Sequence, residues 1–228
     1  MPSRKVPLIT EGVYHVLNRG NASAPIFNRE RDYQRFMLTL CYYQYTEPPL
    51  RFSHFSQLLP AIKSRLSKDL QSKAIRIEII AFCLMPNHFH FLLKQKEEQG
   101  ICDFIRQSTS SYSHYFNTKY KRRGSLFEGR FKAIRVETET ELLHLSRYIH
   151  LNPYSSNLVK SRNRLCLYRY SSLPEYVGKT ETEICQKSSI LSNFKDKDSY
   201  LRFVLDRADY QKSLEAIKHA TFDDGNIL

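Results

Sequence analysis

The sequence predicts an α+β fold of the ferredoxin-like, split βαβ kind: a four-stranded antiparallel sheet with helices on one face and a C-terminal helical tail. Three observations carry this expectation. Short runs alternate in polarity with period two, as in "GVYHVLNRG" and "HFHFLLK". Longer runs from Asn28 and Gly100 carry apolar residues at helical spacing. The two kinds of run follow one another as β-α-β-β-α-β, with one more helix behind them.

Residues 12–20 alternate and stop at a glycine turn, which defines the first strand. "NRERDYQRFMLTLCYYQY" opens on a capping residue, Asn28, and places Tyr33, Phe36, Met37 and Leu40 on one helical face. Residues 47–73, beginning "EPPLRFSHFSQLLPAIKSRL", read as an insert made of a loop and a short helix. "AIRIEIIAFCLM" is rich in β-branched residues and forms the second strand, and Pro86 and Asn87 turn it into the third. "GICDFIRQSTSSYSHYFNTKY" is the second long helix and "RFKAIRVET" the fourth strand. A helix from Glu139 is expected to close at Pro153. The domain is drawn at 1–178, with the insert at 47–73, and a tail at 179–228 carries a helix at 198–220.

A hydrophobic content of 41%, with 13% aromatic residues, excludes a wholly disordered chain of this length, 228 residues. No apolar run is long enough for a membrane span, so no membrane partner is expected. The beginning "MPSRKVPLIT" lacks the apolar core of a secretory signal, and the five cysteines form no CxxC pair, so a reducing cytoplasm is the expected location. Lys and Arg outnumber Asp and Glu by 35 to 23, a net charge of +12 that favours polyanionic partners. The excess clusters in "NTKYKRRGSLFEGRFKAIR", where cations interleave with Tyr120, Phe127 and Phe131. Cations for phosphates and rings for unpaired bases are what a single-strand binder needs, while a solvated loop with a few core aromatics reads the same way. The candidate DNA contacts are Arg19, Lys121, Arg122, Arg123, Arg130 and Lys132.

Two short stretches carry chemistry. In "MPNHFHFLLK" the period of two turns His88 and His90 to one face and Phe89 and Phe91 to the other. Imidazoles at i and i+2 converge well enough to share a metal ion, and polar–aromatic alternation also marks any half-buried antiparallel strand. In "ELLHLSRYIHLNP", Tyr148 and Asn152 lie at i and i+4 beside a stripe of Leu142, Leu145 and Ile149, so both can address one point next to the sheet. One could be a nucleophile and the other a ligand, or they are a boundary tyrosine and a helix-ending asparagine. His144 shares the face of Tyr148 and His150 does not; either reads as a surface residue.

These segments resemble a known family. "YHVLNRGN" with "IFNRERDYQRF", "AFCLMPNHFHFLL", "SYSHYFNTKYKRRGSLFEGRFKAIRVET", "LSRYIHLNP" and "YRYSSLPEY" are similar, in unbroken order over about residues 10–178, to the single-tyrosine HUH transposases and in particular their REP-associated branch. The resemblance implies an HUH fold and a DNA nickase and strand transferase acting on single-stranded or hairpin DNA. It assigns His88 and His90 to the paired histidines, Phe89 to the bulky residue between them, Tyr148 to the nucleophile and Asn152 to the third ligand. It further implies a Mg²⁺ or Mn²⁺ cofactor and a 5′-phosphotyrosine intermediate, and leaves open a homodimer. A domesticated nuclease that processes REP sequences, and a non-catalytic single-strand-binding module, are the rival readings.

Overall fold

In a computed structural model describing residues 7–181 and 183–213, β1 (Val13–Arg19) runs into a turn at Gly20 and then into α1 (Glu30–Tyr43). The insert contributes two helices, α2 (Phe52–Phe55) and α3 (Pro60–Gln71), where one was expected. Then come β2 (Ile77–Met85), β3 (His88–Gln95), α4 (Gly100–Lys119), β4 (Lys132–Val136) and α5 (Glu139–Ser155). Short helices α6 (Leu173–Tyr176) and α7 (Ser188–Leu191) lead to α8 (Lys197–Asp206). The expected tail helix at 198–220 is present as α8 and a second helical stretch at 208–213, interrupted at Arg207, while its last residues lie outside the described ones.

The strand order is β2-β3-β1-β4 with every neighbouring pair antiparallel, the ferredoxin-like order. Residues paired across strands share a face. The register sets Arg19 opposite His88 and Leu17 opposite both His90 and Lys132, so these side chains belong to one face. Phe89 and Phe91 fill the other, where α1 and α4 pack: Phe36 lies 5.7 Å from Phe89 and 6.4 Å from Phe91, and Phe104 lies 6.4 Å from Phe91 between ring centroids. The phase of the histidine strand is as the alternation predicts.

The insert stands on the helix side. Phe52 and Phe55 are buried against Tyr42, at ring distances of 5.2 and 4.7 Å, and the Tyr43 hydroxyl accepts the Phe52 amide at 3.0 Å. This first helix of the insert therefore packs away from the histidine face.

One buried carboxylate ties α1 to the end of α4. Asp32 accepts from the backbone amides of Asn28 and Arg29 at 3.0 Å each, from the hydroxyls of Tyr115 (3.2 Å) and Tyr120 (2.7 Å), and from Lys119 Nζ. Burial pushes the carboxyl up, but the ion pair and the donated hydrogen bonds outweigh it and hold Asp32 below its usual value. Asp32→Ala leaves Lys119 and two amides without their acceptor, and a loss of about 3 kcal/mol is expected in urea unfolding. Because the folded value is depressed, this stability is complete above the unfolded carboxylate value of about 3.9 and disappears as pH falls through the folded one. The Ala variant should lose that part of the acid limb.

Three sequence expectations are corrected. The histidine face is not left open across its width, because α5 packs over β2 and β3 there. Nor does α5 stop before Pro153: it runs through to Ser155, with Leu151, Pro153, Tyr154 and Ser155 all buried. Tertiary burial and the Ser156 amide-to-Asn152 carbonyl bond (3.1 Å) carry the last turn past the missing proline N–H. His150 is also not a surface residue. It is fully buried, with Nδ1 and Nε2 each 2.7 Å from a hydroxyl, those of Tyr200 and Ser172, so it fastens α8 to α5. His144 is exposed.

Candidate active site

The site forms where the start of β3 passes under α5. His88 Nδ1 lies 2.7 Å from Asn87 Oδ1, and the Asn87 amide nitrogen is donating to the Ser23 carbonyl at 3.2 Å. That oxygen can only accept, so His88 Nδ1 carries the proton and its Nε2 is bare. His90 Nδ1 lies 3.0 Å from Nε2 of His15, a β1 residue on the same face. Burial takes His88 and His15 down to about 4 and His90 well below its ordinary value, with the positive charge of Arg19 adding to the effect on both β3 histidines. All three imidazoles are therefore neutral at neutral pH.

The Thr138 hydroxyl accepts the Glu141 amide at 3.1 Å and fixes the start of α5. Two and a half turns later Tyr148 presents its ring edge-on to His90 at 5.6 Å and to His15 at 6.1 Å between centroids. Asn152 follows one turn on. Its side-chain nitrogen donates to the Tyr148 carbonyl at 3.2 Å, and its side chain lies beside His88. Thus His88, His90, Tyr148 and Asn152, predicted from two separate stretches, meet at one place.

The predicted basic residues gather at the same end of the sheet. Gly20 pairs with Phe127, the Asn21 amide donates to Leu126 O (2.9 Å) and the Glu128 amide to Arg19 O (2.8 Å), which binds the loop after α4 to the end of β1. Gly20 is required here, because a Cβ would sit 2.0 Å from the Ala24 carbonyl oxygen. Arg19, Lys121, Arg123, Arg130 and Lys132 are exposed. Arg122 differs: it is half-buried and its guanidinium donates to Ser125 O at 2.9 Å, so it holds the loop's own shape.

Sequence reasoning missed His15 and Asn87. His15 does alternate in phase with Leu17 and Arg19, but only strand pairing reveals that this phase is the one His90 occupies. Among the described residues, no group of three or more His, Cys, Asp and Glu side chains is arranged to hold a metal ion. The donors offered here are two imidazole nitrogens and the Asn152 amide oxygen. With their Nδ1 atoms engaged and their rings neutral, His88 and His90 have Nε2 left for a ligand, a donor set that with the Asn152 oxygen would suit a divalent ion completing its shell with water or phosphate oxygen.

Comparison with known proteins bears on this geometry. Residues 55–152 match the family model of the IS200-like transposases. That span takes in the paired histidines, Tyr148 and Asn152, and covers less than half of the chain. A solved structure of a REP-associated tyrosine transposase bound to a REP hairpin superposes with a TM-score of 0.53 at 14% identity, covering 81% of this chain and 90% of that one. At such identity the likeness establishes the shared fold. A second structure, of a protein from Deinococcus radiodurans R1 described as a "putative transposase", is 14% identical over 65% of this chain and 95% of that one, with a TM-score of 0.27. No curated protein matches the chain significantly. Among the described residues no helix is long and apolar enough to cross a membrane.

Proposed function

We propose that the chain is a metal-dependent single-stranded DNA endonuclease and strand transferase, a DNA transposase working through a 5′-phosphotyrosine on Tyr148. The observation that carries this reading is the meeting of the Tyr148 ring with His88, His90 and Asn152 at the start of β3. His88, His90 and Asn152 would hold a Mg²⁺ or Mn²⁺ ion, whose contribution would be Lewis-acid stabilisation of charge on the scissile phosphate. Tyr148 Oη attacks phosphorus and gives its proton to water. The phosphorus–O3′ bond breaks, the 3′ oxygen takes a proton, and the 5′ phosphate stays on Tyr148. A 3′ hydroxyl attacking that phosphotyrosine reverses the chemistry and joins strands without ATP.

The substrate class follows from charge and placement. Arg19 and Lys132 flank the histidines on their own face, and the basic loop is bound to the end of β1, so a strand crossing the site meets cations on entry. Hairpin DNA is favoured because the fold's relative is bound to a REP hairpin. A purely binding module fits less well. The ring-bearing face of β3 is packed under α1 and α4, and the face toward α5 carries histidines instead of a stacking platform.

The decisive experiment incubates the protein with end-labelled single-stranded hairpin and Mn²⁺ and resolves the products on a denaturing gel. A covalent protein–DNA species and a fragment with a free 3′ hydroxyl are expected, and their absence would remove the enzymatic reading. Binding gives a separate check. Replacing Lys121, Arg123 and Arg130 together should lower the slope of log affinity against log salt by about 2, at roughly 0.7–0.9 for each phosphate deprived of its cation. An unchanged slope would take the loop out of the interface.

A further inference from the structure

We infer that His15 is a positioning residue for the metal site: it accepts the Nδ1 proton of His90 and thereby holds His90 with its Nε2 lone pair toward the metal ion. This rests on the function proposed above. The geometry is that of a strong, directed contact. Nε2 of His15 and Nδ1 of His90 are 3.0 Å apart, and the 22° interplanar angle with a 5.2 Å centroid separation places the bond nearly in both ring planes. Both rings are only 6% exposed, so water does not compete for these nitrogens and each must find its partner inside the protein.

The direction of the hydrogen bond follows from the chemistry His90 has to perform. Two neutral imidazoles share one proton across this contact. If His15 donated, the proton of His90 would sit on Nε2 and no lone pair would remain there for a metal. If His90 donates, its Nε2 is bare, as His88 Nε2 is bare because Nδ1 is engaged by Asn87. The two ligands are then held alike, one by an amide carbonyl and the other by a third imidazole. The reach of His15 comes from the antiparallel register. It is paired with Leu92, two residues past His90 on β3, which makes it the diagonal neighbour of His90 on their common face. Tyr148 rests its ring against both imidazoles, so the same pair also forms the wall beside the nucleophile. His15 lies outside the matched span 55–152.

The test measures Mn²⁺ affinity of the full chain without DNA, by electron paramagnetic resonance titration, for wild type, His15→Ala and His15→Gln. His15→Ala should bind Mn²⁺ about 10- to 100-fold more weakly, the usual cost of losing a group that orients a metal-binding histidine. His15→Gln should recover most of the affinity, since its carbonyl oxygen can accept the same proton. Metal-free hairpin binding should be equal in all three and reports that they are folded. Independently, ¹⁵N histidine spectra of the wild type should show His90 protonated at Nδ1 and bare at Nε2. Equal Mn²⁺ affinity in a folded His15→Ala, or a proton on His90 Nε2, would overturn the inference; if neither variant folds, the spectra alone decide it. A wild type that binds no Mn²⁺ would overturn the metal reading itself, and this inference with it.

Discussion

Tyr148→Phe abolishes cleavage of a single-stranded hairpin and the covalent protein–DNA species together, by about 10⁴-fold or more, while leaving hairpin binding and the melting temperature near those of the wild type. The expectation is sharp because one oxygen is removed from a half-buried ring whose packing against His90 and His15 is through its edge. The chain has 15 tyrosines, and several of the other hydroxyls are occupied elsewhere. Tyr154 is bonded to Asp209, Tyr112 donates to the Ile26 carbonyl, and Tyr115 and Tyr120 both serve Asp32 on the opposite side of the sheet. Burial and the Asp32 charge push Tyr112 and Tyr120 up as well, which makes them still poorer nucleophiles. Denaturing gels of both proteins, with peptide mass mapping of any adduct, settle the matter. An adduct on another tyrosine would mean that Tyr148 has been misassigned.

The second large effect concerns the paired histidines. His90→Ala, and separately His88→Ala, should reduce Mn²⁺-dependent nicking to background while keeping most of the hairpin affinity, because phosphate contacts rest on cations elsewhere. Asn152→Ala should act in the same direction but less strongly. It removes one proposed ligand and also the bond from its side chain to the Tyr148 carbonyl, which Gln211 continues to hold at 3.1 Å. Nicking is read as initial rate against Mn²⁺ concentration and affinity by fluorescence anisotropy in chelator. Wild-type rates in His90→Ala would dismantle the site.

Much of this molecule is decided by short-range pattern. The alternation His88-Phe89-His90-Phe91 separates imidazoles from rings in any strand, and the four-residue step from Tyr148 to Asn152 aligns them in any helix, so both halves of the site can be read without coordinates. The order of elements likewise implies the sheet, since a split βαβ plan leaves few ways to pair four strands. What needed the tertiary structure depends on partners distant in the chain. His15 becomes a neighbour of His90 only through the β1–β3 register, 75 residues apart. His150 is drawn inside by Tyr200 and Ser172, and α5 continues through Pro153 because burial on both sides of the proline outweighs one lost backbone bond. Arg122 looked like its basic neighbours until the fold turned it onto the carbonyl of Ser125. Local periodicity says which face a side chain takes. Only packing between elements says what waits on that face, because the energies of burial and hydrogen bonding belong to the pair and not to either residue alone.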